Sequence, residues 1–213
     1  MPGRVYEATC GRLFAAGYDR LLAGAEEAGL RERRRELLAG ATGDVLELGA
    51  GTGANLAVYP DGLGRLVLTE PGRHMASRLR ARVAAGGPRA EVVAAGAESL
   101  PFEESSFDTV VSTLVLCTVE NPDRAALEVV RVLRPGGRLL FLEHVRSSEP
   151  GIARWQDRLE RPWRLVGAGC RCNRDTMATI RGAGLEVEAI EHGALPKAPQ
   201  IVRPLVVGSA RAA

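Results

Sequence analysis

Val45-Leu46-Glu47-Leu48 runs straight into Gly49, Gly51 and Gly53, three glycines at every second position, and then into Ala54-Asn55. Alternating apolar residues followed by glycines and helix-starting residues read as strand, tight turn and helix N-terminus. A unit of this kind belongs to an α/β sheet that holds a ligand at the turn. Glycine lets backbone approach a ligand that a Cβ would push away, and the amides opening the next helix favour a carboxylate or phosphate. Gly49, Gly51 and Ala54 also satisfy the dinucleotide pattern GxGxxA, so the motif alone leaves nicotinamide and flavin enzymes open.

Two carboxylates discriminate. Glu47, two residues before the first glycine, would face an anionic pyrophosphate badly but suits the cationic amino group and sulfonium of S-adenosylmethionine. The plainer alternative is that Glu47 only caps a neighbouring amide. Glu70 closes an apolar strand, Arg65 to Glu70, roughly twenty residues after the glycines, where an acceptor for ribose hydroxyls belongs. On the helix that follows, Pro71 to Arg82, Met75 either packs on a purine face or is ordinary core.

The totals narrow the classes. With 213 residues, 46% of them hydrophobic, the chain can bury a full core as a single domain. A net charge of +2 sets up no strong field toward nucleic acid or membrane, and 4% aromatics make a poor base-stacking platform. Cys10, Cys117, Cys170 and Cys172 form no disulfide framework, and no signal peptide or 18-residue apolar run accompanies them. These features predict a reduced, cytoplasmic protein without an integral membrane segment. Cys170-Arg171-Cys172 can hold a soft metal, but without a second pair it reads as structural, and no metal is expected.

Along the chain, residues 4 to 41 read as one or two helices. Tyr6, Cys10, Leu13, Phe14, Tyr18, Leu21 and Leu22 make an apolar stripe that is either core or a lid, since a segment before the first strand has no slot in the central sheet. Arg31 to Arg35 reads as a solvated helix face. Further strands are predicted over Glu91 to Ala95, Phe107 to Cys117 and Arg138 to Glu143, with a helix over Asp123 to Leu133 stopped by Arg134-Pro135-Gly136-Gly137. A helix at Asp175 to Ala183 and strands at Leu185 to Glu191 and Val202 to Gly208 complete the alternation as a closing hairpin.

Glu47-Leu48-Gly49-Ala50-Gly51-Thr52-Gly53, acidic Glu70, Glu98-Ser99-Leu100-Pro101-Phe102 with Phe107-Asp108, and Leu133-Arg134-Pro135-Gly136-Gly137 together resemble the class I S-adenosylmethionine-dependent methyltransferases of the ubiquinone/menaquinone type. Gly53-Ala54-Asn55, Thr113 to Cys117, Glu143-His144-Val145, Trp155 with Pro162-Trp163, Gly169-Cys170 and Val202-Arg203-Pro204 further resemble the small alkyl thiol S-methyltransferases. The resemblance implies a Rossmann-like fold: a seven-stranded, mostly parallel sheet with an antiparallel C-terminal hairpin and helices on both faces. Residues 1–43 would form an N-terminal helical lid, 44–145 the cofactor core, and 146–213 the substrate-side helices and hairpin. The hydrophobic, membrane-anchoring N-terminus of the thiol family is absent, which implies a soluble protein.

By the same resemblance, Glu47, Gly49, Gly51, Gly53, Asn55, Glu70, Pro71, Met75, Ala97, Glu98, Thr113 and Leu114 would bind S-adenosyl-L-methionine. Gly96 stands where many relatives carry an aspartate for the adenine amino group, so the Ala97 amide and Glu98 inherit that contact. Methyl transfer is an in-line displacement that needs an aligned acceptor shielded from water. A thiol with a pKa of about 8.5 is already a few per cent thiolate at neutral pH, so a dedicated base is optional. His144 is the candidate base or orienter, Cys117 a catalytic or pocket-lining thiol, and Tyr18, Phe14, Trp155, Leu159 and Trp163 the apolar acceptor wall. Arg154, Arg158, Arg161 and Arg164 either meet an anionic substrate or face water. Phospholipid amines, quinones, phenols and arsenite remain alternative acceptors. A non-catalytic cofactor- or arsenical-binding protein and a nicotinamide oxidoreductase are the rivals from other classes.

Overall fold

A computed structural model describes residues 11–86 and 88–213; Tyr6 and Cys10 of the N-terminal stripe lie outside the described residues. Seven strands make one sheet: β1 (Val45–Leu48), β2 (Leu66–Thr69), β3 (Glu91–Val93), β4 (Phe107–Thr113), β5 (Leu133–His144), β6 (Glu186–Ala194) and β7 (Pro204–Arg211). Their order is β3-β2-β1-β4-β5-β7-β6, with β1 to β5 parallel and β7 antiparallel to both β5 and β6. β1 and β2 are buried at every position, as strands covered on both faces must be.

Pleat alternation sorts the core into two layers. Leu46, Leu48, Val67, Val110, Leu139 and Phe141 pack with α4 (Pro122–Val132) and α6 (Thr176–Gly182). Val45, Leu66, Leu68, Val111 and Leu140 pack on the other face with Leu38 of α2 (Arg31–Leu38) and Leu79 of α3 (Arg73–Ala84). The helices start where sequence chemistry says they should: Asn121 accepts from the Arg124 N–H before Pro122, and Asp175 accepts from the Ala178 N–H.

The N-terminal segment is two helices, α1 (Gly11–Ala25) and α2, joined by a wide turn over Glu26–Leu30 in which Gly29 takes φ +118°. Four local expectations change. No α-helix follows the glycines; residues 51–55 turn and one 3-10 turn, Leu56–Val58, is all that forms before Pro60, Gly62 and Gly64 interrupt the chain. β4 stops at Thr113 rather than Cys117, because Leu114 adopts φ +61°. The Arg134-Pro135-Gly136-Gly137 turn is absorbed into β5 as an irregularity, with the register against β4 shifting between Phe107 and Thr109. There Arg134 bridges Asp44 and Asp108, tying β5 to the amino ends of β1 and β4, far from their carboxyl ends. Finally, Arg31 to Arg35 is not wholly solvated: Arg34 is buried, for reasons that belong to the site. Among the described residues no helix is long and apolar enough to cross a membrane.

Candidate active site

A cavity of about 380 Å³ opens at the carboxyl ends of β1, β2, β4 and β5, where the strand order reverses about β1. Gly49, Gly51, Glu70, Pro71, Met75, Ala97 and Leu114 of the predicted cofactor set line it. Gly49 and Gly51 hold φ of +52° and +59°, and a Cβ on Gly49 would come within 3.0 Å of Val115 Cγ2. The Glu70 carboxylate is buried and accepts the Gly51 N–H at 2.9 Å and the Gly72 N–H at 2.7 Å. That bond pins the end of β2 to the glycine turn.

Five residues of the predicted set do not reach the cavity. Glu47 lies behind the turn: its Oε1 accepts from Asn55 Nδ2 at 2.9 Å and its Oε2 from the Tyr59 hydroxyl at 2.7 Å. Asn55 in turn accepts from Arg34 at 2.9 Å and donates to the Thr113 hydroxyl at 3.0 Å, so Asn55 and Thr113 also serve the network rather than the wall. Arg34 closes it with an ion pair to Glu26 at 3.1 Å. Burial pushes the Glu47 carboxyl upward, against the hydrogen bonds of Tyr59 and Asn55 and the charge of Arg34. Gly53 is spent on packing, since a Cβ there would lie 2.7 Å from Leu56 Cδ1 and 2.9 Å from Leu79 Cδ1. Glu98 turns away to accept the Glu120 N–H at 2.9 Å. Ala97 alone of that pair faces the cavity.

The N-terminal stripe covers the cavity more than it fills the core. Phe14, Tyr18, Leu21 and Leu22 of α1 line the cavity, while Leu13 and Leu21 are 76% and 70% exposed, which overturns the core reading for both. The Phe14 and Tyr18 rings lie 5.4 Å apart, and burial pushes the Tyr18 hydroxyl up to about 12. Asp19 fastens the helix at both ends of its carboxylate, accepting from Thr52 of the glycine turn at 2.5 Å and from Arg82 of α3 at 2.7 Å.

The opposite wall is soft and apolar. Buried Glu143 accepts from the Ser112 hydroxyl at 2.7 Å and from the successive amides of Val115, Leu116 and Cys117 at 2.9, 3.1 and 3.4 Å. One carboxylate therefore shapes the turn that carries Leu114, Val115 and Cys117 onto the wall. His144, the last residue of β5, is buried beside it; its ring bonds the carbonyls of Pro204 and Val202, and Nδ1 has no partner. Burial lowers its pKa to about 4, so the ring is neutral near pH 7.

α5 (Pro150–Val166) contributes only its C-terminal end. Trp163 and Val166 line the cavity, but Trp155 is 54% exposed under Arg158, and Leu159 also stays outside the lining. The reason is helical phase: buried Gln156 turns inward to the carbonyls of Val145, Cys172 and Ile201, which sends Trp155 outward. Arg154, Arg158, Arg161 and Arg164 are exposed and line nothing there.

Sequence reasoning missed several participants. His74, Cys170, Lys197 and Val202 line the cavity. Arg34, Tyr59 and Glu143 support the site from behind. For Glu143 a signal existed, a carboxylate in an otherwise apolar strand end; for Arg34, hidden in an arginine run, there was none.

A family model described as a methyltransferase domain matches residues 46–141. Human thiol S-methyltransferase TMT1B is 37% identical over 85% of this chain and 79% of its own length. A Thermotoga maritima S-adenosylmethionine-dependent methyltransferase, a possible histamine N-methyltransferase, superposes with a TM-score of 0.72 at 23% identity over 98% of this chain and 99% of that one. The N-methyltransferase NodS of Bradyrhizobium japonicum, solved with S-adenosyl-L-homocysteine, gives 0.64 at 19% identity over 85% and 86%. By the family match and the 37% identity over most of its length, the chain belongs to the class I S-adenosylmethionine-dependent methyltransferases.

Proposed function

We propose that this methyltransferase acts on a small hydrophobic thiol. The observation that carries the reading is the composition of the wall opposite the glycine turn: apolar side chains, two cysteines and one neutral imidazole. An amine or a phenol asks for a carboxylate or a stronger base at that place, and a lipid phosphate asks for several cations, where, among the described residues, Lys197 is the one lysine or arginine on the lining. The 37% identity with a thiol S-methyltransferase supports the same choice.

The sulfonium of S-adenosylmethionine supplies an electrophilic methyl group. The residues fit such a donor: Glu70 offers a carboxylate already held by amides, Met75, Pro71 and Ala97 offer apolar packing for a base, and Gly51 leaves backbone bare. Behind the turn, two carboxylates, Glu26 and Glu47, face one guanidinium, Arg34. That buried surplus of negative charge favours a cation over a pyrophosphate.

The neutral His144 ring on the cavity wall orients the incoming thiol toward the glycine turn. With a pKa of about 4 the ring is a poor resting place for a proton, so it orients rather than deprotonates. The thiolate fraction present in water supplies the nucleophile. Phe14, Tyr18 and Trp163 exclude water, and α1 acts as the lid. Buried reduced cysteines suit the cytoplasm, where we place the enzyme.

The test is a panel of alkyl and aryl thiols, amines, phenols, quinols and arsenite with labelled donor. We expect transfer to thiols, and a thermal shift with S-adenosylhomocysteine but not with NAD. Transfer to another class with none to any thiol overturns the acceptor assignment and leaves the donor assignment standing.

A further inference from the structure

Two of the three described cysteines meet on the cavity wall. Cys117 lies in the turn after β4 and Cys170 in the loop after α5, and the two pack together in one buried cluster on the wall. The backbones are already joined at this point, since the Arg171 N–H donates to the Cys117 carbonyl at 2.8 Å. That puts Cys170, one residue before Arg171, beside Cys117 across two segments of chain. Cys172 packs in the same cluster but lines no part of the cavity.

The surroundings treat the two sulfurs differently. Cys170 packs beside Cys117 and Trp163, and the Arg174 guanidinium adds positive charge to its surroundings. These groups hold the Cys170 thiol below its ordinary range despite burial, whereas the neighbouring Cys170 sulfur and burial push Cys117 well above it. Cys170 is also the more exposed, at 7% against 1%. This is the division of labour of a redox dithiol, an attacking sulfur and a resolving one.

We propose that Cys117 and Cys170 form a redox-active pair that reacts with low-molecular-weight disulfides entering the cavity and switches the enzyme off. The Cys170 thiolate attacks one sulfur of R–S–S–R, forming a Cys170–S–S–R mixed disulfide and expelling RS⁻, which takes up a proton. Cys117, losing its proton to solvent, then attacks Cys170 Sγ and expels the second RS⁻. The sum is two protein thiols oxidised to one disulfide and one small disulfide reduced to two thiols. The new bond ties the turn after β4 to the loop after α5 and withdraws both sulfurs from the wall that faces His144 and Trp163. The step needs no particular methyl acceptor, so it stands apart from the thiol assignment.

The test uses the full chain, incubated with bis(2-hydroxyethyl) disulfide or glutathione disulfide, alkylated and mapped by mass spectrometry. The expected product is a Cys117–Cys170 cross-linked peptide, formed equally in Cys172→Ser. Cys117→Ser should stop at a mixed disulfide on Cys170, and Cys170→Ser should form neither species. Methyl transfer by the oxidised wild type should fall at least tenfold and return with a phosphine reductant. Pairing of Cys170 with Cys172, a mixed disulfide on Cys117 instead of Cys170, or unaltered thiols after incubation would each overturn the proposal. If thiol methylation proves wrong, the cross-link still decides this one by mass alone.

Discussion

The two ends of the cavity solve opposite problems. At the glycine-turn end every charged group named above is engaged before any ligand arrives: Glu70 with two amides, Glu47 with Asn55 and Tyr59, Arg34 with Glu26 and Asn55. At the cysteine end the polar atoms are few, and His144 Nδ1 and Trp163 Nε1 lack full partners. The contrast teaches that a fixed charged ligand is met by a prebuilt network, which resists reorganisation, while an apolar acceptor is met by packing and one or two open valences.

Breaking the network should cost most. Arg34→Ala leaves Glu26 without its ion pair and Asn55 Oδ1 without a donor in a buried setting, and strips Glu47 of its nearby cation. We expect a loss of about 3–5 kcal/mol, read in thermal unfolding as a fall of roughly 10 °C for a domain of this size. An unchanged melting temperature would show that the network is not the keystone of that end. Glu70→Ala comes next: it removes a carboxylate that accepts two amide hydrogens on the cavity wall. Calorimetry should show S-adenosylhomocysteine binding roughly 100-fold weaker, the worth of a charge-assisted pair of hydrogen bonds.

At the cysteine end the sharper probe is pH. His144 has its folded-state pKa depressed to about 4 by burial, so between pH 6.5 and 4 the unfolded chain binds the extra proton. Its contribution to stability is therefore complete above pH 6.5 and is lost as pH falls through that window. At pH 5.5 the loss is on the order of 1.4 kcal/mol, one pH unit below the unfolded value. His144→Asn should close part of the gap between stability curves at pH 7.5 and 5.5; curves with identical pH dependence in both proteins would remove the buried-neutral assignment. In activity the same variant should slow methyl transfer by roughly tenfold, the worth of one hydrogen bond, with the KM for the donor unmoved. Smallest of all is Trp155→Ala. Because Trp155 stands outside the cavity and half in solvent, stability should move by about 0.5 kcal/mol or less, and acceptor KM not at all. Trp163→Ala, by contrast, should raise acceptor KM.

How far the residues alone carry can be judged from particular pairs. Glu70 and Glu98 both looked like ligand carboxylates, yet only Glu70 lines the cavity, because the loop after β4 offers amides that claim Glu98. Trp155 and Trp163 looked like one wall, and the phase imposed by Gln156 split them. Asn55 and Thr113 sit in the motifs that mark the family, yet Asn55 spends its side chain on Glu47, Arg34 and Thr113, and the Thr113 hydroxyl accepts from Asn55.

Local chemistry written in the chain was enough for the doubly covered parallel sheet, the glycine turn, the carboxylate that ends β2 and the antiparallel closing strands, because each follows from side-chain period, backbone freedom or a strand's need for cover. Tertiary packing alone decided which charges face the cavity and which are buried behind it, and which cysteines meet. Those outcomes depend on hydrogen-bond partners contributed by segments tens of residues away, and one sequence does not state how such competitions end.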